Sequence, residues 1–268
     1  MVNLFTYKYE CKNTSFFQSS GYIRRFLLLL PERIGHIIMN RWIRRKRNSH
    51  GYGVQSPNDF FFVQHVLREQ SPYYAYAELH KIYQAVKASL PHVPFSSEEV
   101  YRLLFRLADY VHPEVLVAVG DESELAACSM TMARPAKRCV SICAKETESL
   151  PIPTSFEVKK GDEMAIFGEE LQCLGTVELL YIAHTPHYKE LTQLALSRVC
   201  NKTMFIIDGI RENREKRLWW QSLQESPLTG VSYDLGTVGL LLFDKTRYKD
   251  AYWINIKKKR FFGEYEKE

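Results

Sequence analysis

The stretch of residues 115–124, Val-Leu-Val-Ala-Val-Gly-Asp-Glu-Ser-Glu, constrains the fold of this chain more than any other. Its first half is a continuous apolar run, which is typical of a parallel β-strand buried on both faces. Gly120 then permits a tight turn, and the residues after it suit the start of a helix. A buried strand, a glycine turn and a helix together are typical of the first unit of a nucleotide-binding α/β sheet.

The turn itself lacks most of the residues by which such turns hold a nucleotide. Further glycines normally follow the first one, so that the backbone can approach the ligand closely. Here Asp121, Glu122 and Glu124 follow Gly120 instead. Three carboxylates at a helix N-terminus interact favourably with the helix dipole, but they would repel a pyrophosphate and crowd a nucleoside. The pattern therefore predicts the fold more strongly than it predicts the ligand.

The chain around this turn is predicted to be an α/β domain preceded by helices. We predict strands at 115–119, 138–143, 155–159, 177–183, 203–208, 231–235, 238–243 and 251–256. We predict helices at 57–69, 75–88, 98–109, 122–133, 162–173, 187–199 and 212–225. Alternating strands and helices imply right-handed crossovers and a mostly parallel sheet. The last three strands follow one another too closely for crossover helices, so they include antiparallel neighbours.

The composition divides the chain into four parts: a basic arm (residues 1–47), a helical region (48–112), the α/β domain (113–257) and a charged tail (258–268). The longest early apolar run, 26–30, stops at Pro31 and is too short for a signal core or a transmembrane segment. Six cysteines have no pairing rhythm. These features favour a cytoplasmic protein with free thiols.

The positive charge of the chain is concentrated in the arm. Residues 24–47 hold eight Lys and Arg residues against one acid, a formal charge of +7, which leaves −2 for the rest of a chain whose net charge is +5. Apolar clusters alternate with these basic residues, which predicts two amphipathic helices broken near Pro31. Such an arm could contact RNA, an anionic membrane surface or an acidic partner, or it could simply be solvated.

Several short sequence motifs resemble those of one known family. They are His50-Gly51, Ser56-Pro57 followed by the aromatic run 60–62, the stretch Ile206-Ile207-Asp208-Gly209-Ile210-Arg211, Trp219-Trp220, and Tyr233-Asp234-Leu235. Their order and spacing over residues 44–257 are similar to a bacterial family of class I S-adenosylmethionine-dependent methyltransferases. The resemblance implies a Rossmann-like fold with antiparallel C-terminal strands and S-adenosylmethionine as the cofactor.

The departures from that family fall at its cofactor site. Ala118 stands where the family has an acid before the turn, and about Glu124 where it has the second glycine. Cys143 stands where the acid that grips the ribose hydroxyls should end the second strand. The fourth strand ends in Ala183-His184 rather than in an acid, so we expect no metal. Only Asp162 and Asp208 keep an expected residue.

The resemblance still assigns candidate roles by position. The candidate cofactor-binding residues are Gly120, Asp121, Cys143 and Asp162. The candidate catalytic residues are Asp208, His184 and His187, which follow the fifth and fourth strands at the edge where open α/β sheets bind ligands. Two alternatives stay open: the histidines could belong to a helix-capping loop, and Asp208 could cap the helix that begins near Glu212.

Two functions are compatible with this sequence. One is a methyltransferase that uses S-adenosylmethionine, on an unidentified small-molecule or macromolecular substrate, through altered contacts. The other is a non-catalytic binding or scaffold protein that works through its basic arm, in the cytoplasm or at the periphery of a membrane. Because the strand-end acids and the second turn glycine are absent together, we expect S-adenosylmethionine to bind weakly or not at all.

Overall fold

The computed structural model describes residues 54, 56–89, 95–144, 152 and 155–256. The predictions for the arm (1–47) and for the charged tail (258–268) lie outside these residues, as does most of the stretch 50–55 that contributes to the family resemblance. None of the helices in the described ranges has both the length and the apolarity that crossing a bilayer requires.

Eight strands in the described part of the chain form one sheet in the order β3-β2-β1-β4-β5-β7-β6-β8. The strands are β1 (Val115–Val119), β2 (Arg138–Ala144), β3 (Glu157–Gly161), β4 (Leu179–Ile182), β5 (Met204–Ile207), β6 (Val231–Asp234), β7 (Gly239–Leu242) and β8 (Asp250–Trp253). The first five strands are parallel, and β7 is antiparallel to both β5 and β6. β8 pairs in parallel with β6 at the edge. The predicted mostly parallel sheet with antiparallel C-terminal strands is confirmed.

Seven α-helices accompany these strands in the described ranges. They are α1 (Pro57–Phe62), α2 (Ala75–Ser89), α3 (Glu98–Val111), α4 (Ser123–Ala133), α5 (Glu163–Leu174), α6 (Tyr188–Leu196) and α7 (Arg214–Glu225). A π-helical turn, Val63–Leu67, continues α1. Helices therefore precede the α/β domain, as the sequence pattern predicts.

The sheet separates two apolar cores because successive strand residues point to opposite faces. In β1, Leu116 and Ala118 belong to the core that is shared with α1 to α4. Val117 and Val119 belong to the core that is shared with α5, α6 and α7. Both cores include residues of β1, β2, β4 and β5, so the carboxyl ends of these four strands are held together at one edge of the sheet.

The start of α1 is capped by a serine. The Ser56 hydroxyl occupies the N-cap position and accepts a hydrogen bond from the Asp59 amide at 3.4 Å. The Asp59 carboxylate is buried and accepts hydrogen bonds from the Tyr233 hydroxyl and the Arg247 guanidinium, both at 2.8 Å. One short helix is thereby fixed to β6 and to the loop before β8.

The end of this helical segment differs from the prediction of an α-helix to about Glu69. Its last part is the π-helical turn, and helical structure ends at Leu67. At this end of the helical segment, the Arg106 guanidinium of α3 donates hydrogen bonds to the carbonyl oxygens of Val66 at 2.8 Å and Leu67 at 3.5 Å. These carbonyls are satisfied by a residue some forty positions away, which the local sequence does not reveal.

Candidate functional site

The candidate site lies at the carboxyl edge of the parallel strands, where β1, β2, β4 and β5 end next to one another. Open α/β sheets bind their ligands outside this edge. Six of the seven predicted site residues follow β1, β3, β4 or β5, and Cys143 is the penultimate residue of β2, so the topology places all seven along the same edge. Their side chains, however, make hydrogen bonds and ion pairs that the sequence does not indicate.

Gly120 owes its conformation to the neighbouring strand. Its φ angle is +110°, a region that side chains rarely adopt, and a Cβ atom there would lie 3.0 Å from the Ala183 Cβ and 3.2 Å from the His184 carbonyl oxygen. Its amide donates to the Ile142 carbonyl at 2.9 Å. The turn after β1 is therefore pressed against the end of β4, and this packing alone accounts for the glycine.

Glu122 turns away from solvent towards the start of α3. Only 1% of the residue is exposed, and its two carboxylate oxygens accept hydrogen bonds from the Ser96 amide at 2.9 Å and the Tyr101 hydroxyl at 2.5 Å. Burial raises the pKa of this carboxyl, and the nearby Asp208 carboxylate raises it further. The acid that the sequence suggested as a helix-terminus charge is instead a buried, hydrogen-bonded group.

Asp208 is the second buried carboxylate at this edge, with 2% of the residue exposed. It accepts hydrogen bonds from the Ser96 hydroxyl and from the Tyr181 hydroxyl at 3.2 Å. The alternative that it caps the following helix is wrong, because Asn213 occupies the N-cap position of α7 and accepts from the Lys216 amide at 2.7 Å. Asp208 thus faces the interior of the edge, next to Glu122.

Glu124 fills the space between the turn and the end of β2. Its carboxylate lies 3.8 Å from the Cys143 thiol and 3.4 Å from the Lys160 ammonium. Burial raises the pKa of Cys143 to about 11, and the Glu124 charge acts in the same direction. A carboxylate is therefore present beside residue 143, but it comes from the turn rather than from the strand.

Asp162 and Asp121 are both exposed to solvent. Asp162 is the N-cap of α5 and accepts hydrogen bonds from the amides of Met164 at 3.0 Å and Ala165 at 3.4 Å. Both aspartates are close enough to Glu163 to help raise its pKa, for which burial is the main cause. Asp162 has a complete structural role as a helix cap, and its candidate role in cofactor binding stays a prediction.

The two candidate histidines occupy different surroundings. The His184 Nδ1 lies 3.5 Å from the Glu212 carboxylate, and about a third of its side chain is exposed. Glu212 also lies 3.4 Å from the ammonium of Lys216, a lysine whose side chain is only 2% exposed. His187 is exposed at the N-cap position of α6, and its side chain makes no capping hydrogen bond. Each lies near a different buried carboxyl group: His184 helps to lower the pKa of Glu122, and His187 acts in the same direction on Glu163.

Sequence reasoning missed three residues of this edge: Ser96, Tyr101 and Tyr181. Tyr101 and Tyr181 are fully buried, and each directs its hydroxyl at a carboxylate. A tyrosine among apolar residues of a predicted core element is a weak signal for such a partner, since a buried hydroxyl needs one. Ser96 carried no separate signal because it reads as part of a helix-capping pair with Ser97.

Metal-binding side chains do not converge in the described residues: no group of three or more His, Cys, Asp or Glu could hold an ion there. Among the described residues, Cys128, Cys139 and Cys143 are buried free thiols. Burial raises the pKa of Cys128 to about 11 and of Cys139 to about 12, so both are neutral thiols near pH 7.

No model of a known protein family matches the sequence, and no curated protein is detectably similar to it. Solved structures with a similar backbone include an O-methyltransferase from Bacillus cereus in complex with SAH (13% identity, 67% of this chain and 96% of the other, TM-score 0.49). Others are the O-methyltransferase TomG from Streptomyces achromogenes in complex with SAM (15%, 65% and 91%, 0.46) and a methyltransferase from Geobacter sulfurreducens (15%, 66% and 91%, 0.46).

This likeness concerns the backbone alone. The fold class rests on the strand order and directions, in which five parallel strands are followed by antiparallel neighbours. The chain therefore has a methyltransferase-like α/β fold.

Proposed function

We propose that this protein is a member of the class I methyltransferase fold whose cofactor site binds S-adenosylmethionine weakly or not at all, and that it is weakly active or non-catalytic. The observation that supports the proposal is that the carboxylates of Glu122 and Glu124, in the turn after β1, already have partners within the protein. Glu122 is held by Ser96 and Tyr101, and Glu124 lies against Cys143 and Lys160.

The expected loss of affinity follows from the missing ribose contact. A carboxylate that accepts two ribose hydroxyls makes charged hydrogen bonds of about 1.5–3 kcal/mol each. Cys143 cannot accept such bonds, and the nearby Glu124 carboxylate is 3% exposed. Without this contact, the dissociation constant is expected to rise by roughly two to four orders of magnitude.

Calorimetric titration of the full-length protein with S-adenosylmethionine and with S-adenosylhomocysteine tests the proposal. A double variant, Glu124→Gly with Cys143→Asp, is the matched comparison, because it restores the second turn glycine and the strand-end acid together. We expect no heat of binding from the natural protein and measurable binding by the variant. A low-micromolar dissociation constant for the natural protein, about −8 kcal/mol, would contradict the proposal.

A second candidate function is binding of an anionic surface, either RNA or membrane, by the basic arm. It is favoured by the charge of +7 carried by residues 24–47 against −2 for the remaining chain. Each exposed Lys or Arg near an anionic surface contributes about 1 kcal/mol of attraction. Co-sedimentation with anionic vesicles or with RNA, compared with a full-length variant in which Arg44, Arg45, Lys46 and Arg47 are replaced by Gln, tests it. Equal sedimentation of both proteins would remove this candidate.

A further inference from the structure

Ser96 lies two residues before the start of α3, next to the N-cap residue Ser97. Its amide and its hydroxyl reach two carboxylates that follow different strands, Glu122 after β1 and Asp208 after β5. In the sheet, β4 lies between β1 and β5. Ser96 therefore joins carboxylates from the two strands that flank β4.

Every polar group of Ser96 has a partner. Besides the two bonds to carboxylates, its carbonyl oxygen accepts a hydrogen bond from the Tyr83 hydroxyl at 3.2 Å. Each carboxylate also accepts a hydrogen bond from a tyrosine hydroxyl, Glu122 from Tyr101 and Asp208 from Tyr181. Residue 96 therefore holds the segment 95–97 to the turns after β1 and β5 and to α2.

The bonds to Ser96 are costly to break because they satisfy buried carboxyl groups. Glu122 and Asp208 are 1% and 2% exposed, and the nearby Asp208 carboxylate helps to raise the pKa of Glu122. The groups that face Glu122 are Ser96, Tyr101, Asp208 and His184, of which only His184 can be cationic. If Ser96 moved away, each carboxylate would keep a single tyrosine as its side-chain donor, and water would have to replace the serine.

We propose that Ser96 is a latch that fastens the segment 95–97 across the carboxyl end of β4 and thereby closes this edge to ligands. The inference deepens the proposed function, on which it rests, because it gives a physical reason for weak cofactor binding besides the altered turn. Ligands of open α/β sheets bind outside the strand ends, and Ser96 joins the turns that follow β1 and β5, the two strands beside β4. Release of Ser96 is then the step that admits a ligand.

Hydrogen exchange of the full-length protein, followed by mass spectrometry, tests the latch. In the natural protein the Ser96 amide should exchange at least about a thousand-fold more slowly than in an unfolded chain, because opening must break its bond to a buried carboxylate. Ser96→Ala removes the hydroxyl bond to Asp208, and we expect exchange in peptides covering 95–101 and 120–126 to become at least about ten-fold faster. Ser89→Ala is the control, since that hydroxyl bonds only the exposed Ala85 carbonyl at 3.0 Å.

The same proteins are titrated with S-adenosylhomocysteine. We expect Ser96→Ala to bind it at least ten-fold more tightly than the natural protein and Ser89→Ala to be unchanged. Rapid exchange of the natural Ser96 amide refutes the latch, and this measurement stands even if Ser96→Ala does not fold. Unchanged exchange and affinity in a folded Ser96→Ala protein also refute it. Tight binding by the natural protein would refute the proposed function and with it the closure of the edge, whereas slow exchange would still show that Ser96 is fastened.

Discussion

Replacing Asp59 by Ala should destabilise the protein severely, although this residue lies far in sequence from the groups it binds. Its carboxylate, 2% exposed, accepts from Arg247 and from Tyr233, each at 2.8 Å. Burial and the Asp59 charge keep the pKa of Tyr233 far above its ordinary value, so the tyrosine is a neutral donor. The substitution would leave a guanidinium with 14% exposure and a buried hydroxyl without their acceptor.

The expected loss is large compared with the stability of a domain. Removing one partner of a buried ion pair costs about 3–5 kcal/mol, because the other charge remains buried. Arg247 keeps Asp244 at 3.3 Å, which limits the loss towards the lower end of that range. A domain of this kind is stable by about 5–15 kcal/mol, so we expect the urea midpoint of Asp59→Ala to fall steeply with little change in the slope.

The matched control is Asp109→Ala. Asp109 also faces an arginine, Arg134, but at 4.0 Å and with about half of each side chain exposed. Exposed pairs contribute about 0–1 kcal/mol, so this variant should unfold almost like the natural protein. If Asp59→Ala lost no more stability than Asp109→Ala, the claim that the Asp59 pair fixes the first helix to β6 would be refuted.

Three further predictions follow from buried contacts. Gly239→Ala should cost about 1–3 kcal/mol in urea unfolding, because the new methyl group would lie 2.5 Å from the buried Trp220 ring; an unchanged midpoint would contradict this packing. The pKa of Glu122 is raised in the folded protein above its ordinary value of 4.5. The protonated carboxyl therefore makes its full contribution to the stability of the fold below pH 4.5, and this contribution is lost as pH rises through the folded pKa. Urea unfolding from pH 4.5 to 7 should therefore show the natural protein losing stability relative to Glu122→Gln, and a gain would reverse the assigned sign. In iodoacetamide labelling mapped by mass spectrometry, exposed Cys173 should react while buried Cys143 is protected, and equal rates would show that the edge is open.

The sequence predicted the sheet well where strands are buried on both faces. β1 has the predicted bounds, Val115–Val119, because a continuous apolar run between a loop and a glycine allows few alternatives. β3 is observed at Glu157–Gly161, two residues later than predicted. This edge strand contains two lysines and one glutamate, and its position is fixed by pairing with β2 rather than by its own apolar pattern.

The sequence places the acids Glu122 and Asp208 after two strands of the sheet, but it does not indicate their hydrogen-bond partners. Glu122 is bonded by Tyr101 of α3, 21 positions away, and Asp208 by Tyr181 of β4 and by Ser96, which are 27 and 112 positions away. Contacts at such separations depend on how the helical region packs on the sheet, which no local pattern specifies.

The internal hydrogen bonds of this edge stabilise the protein in the absence of a ligand. A nucleotide site leaves polar groups unsatisfied until the ligand arrives, so its residues contribute little to the stability of the empty protein. Here the carboxylates of Glu122 and Asp208 are satisfied by serine and tyrosine donors of the same chain. Such internal partners stabilise the ligand-free state, and a ligand must compete with them. Any affinity that remains is therefore expected to be reduced by the fraction of molecules in which Ser96 is released.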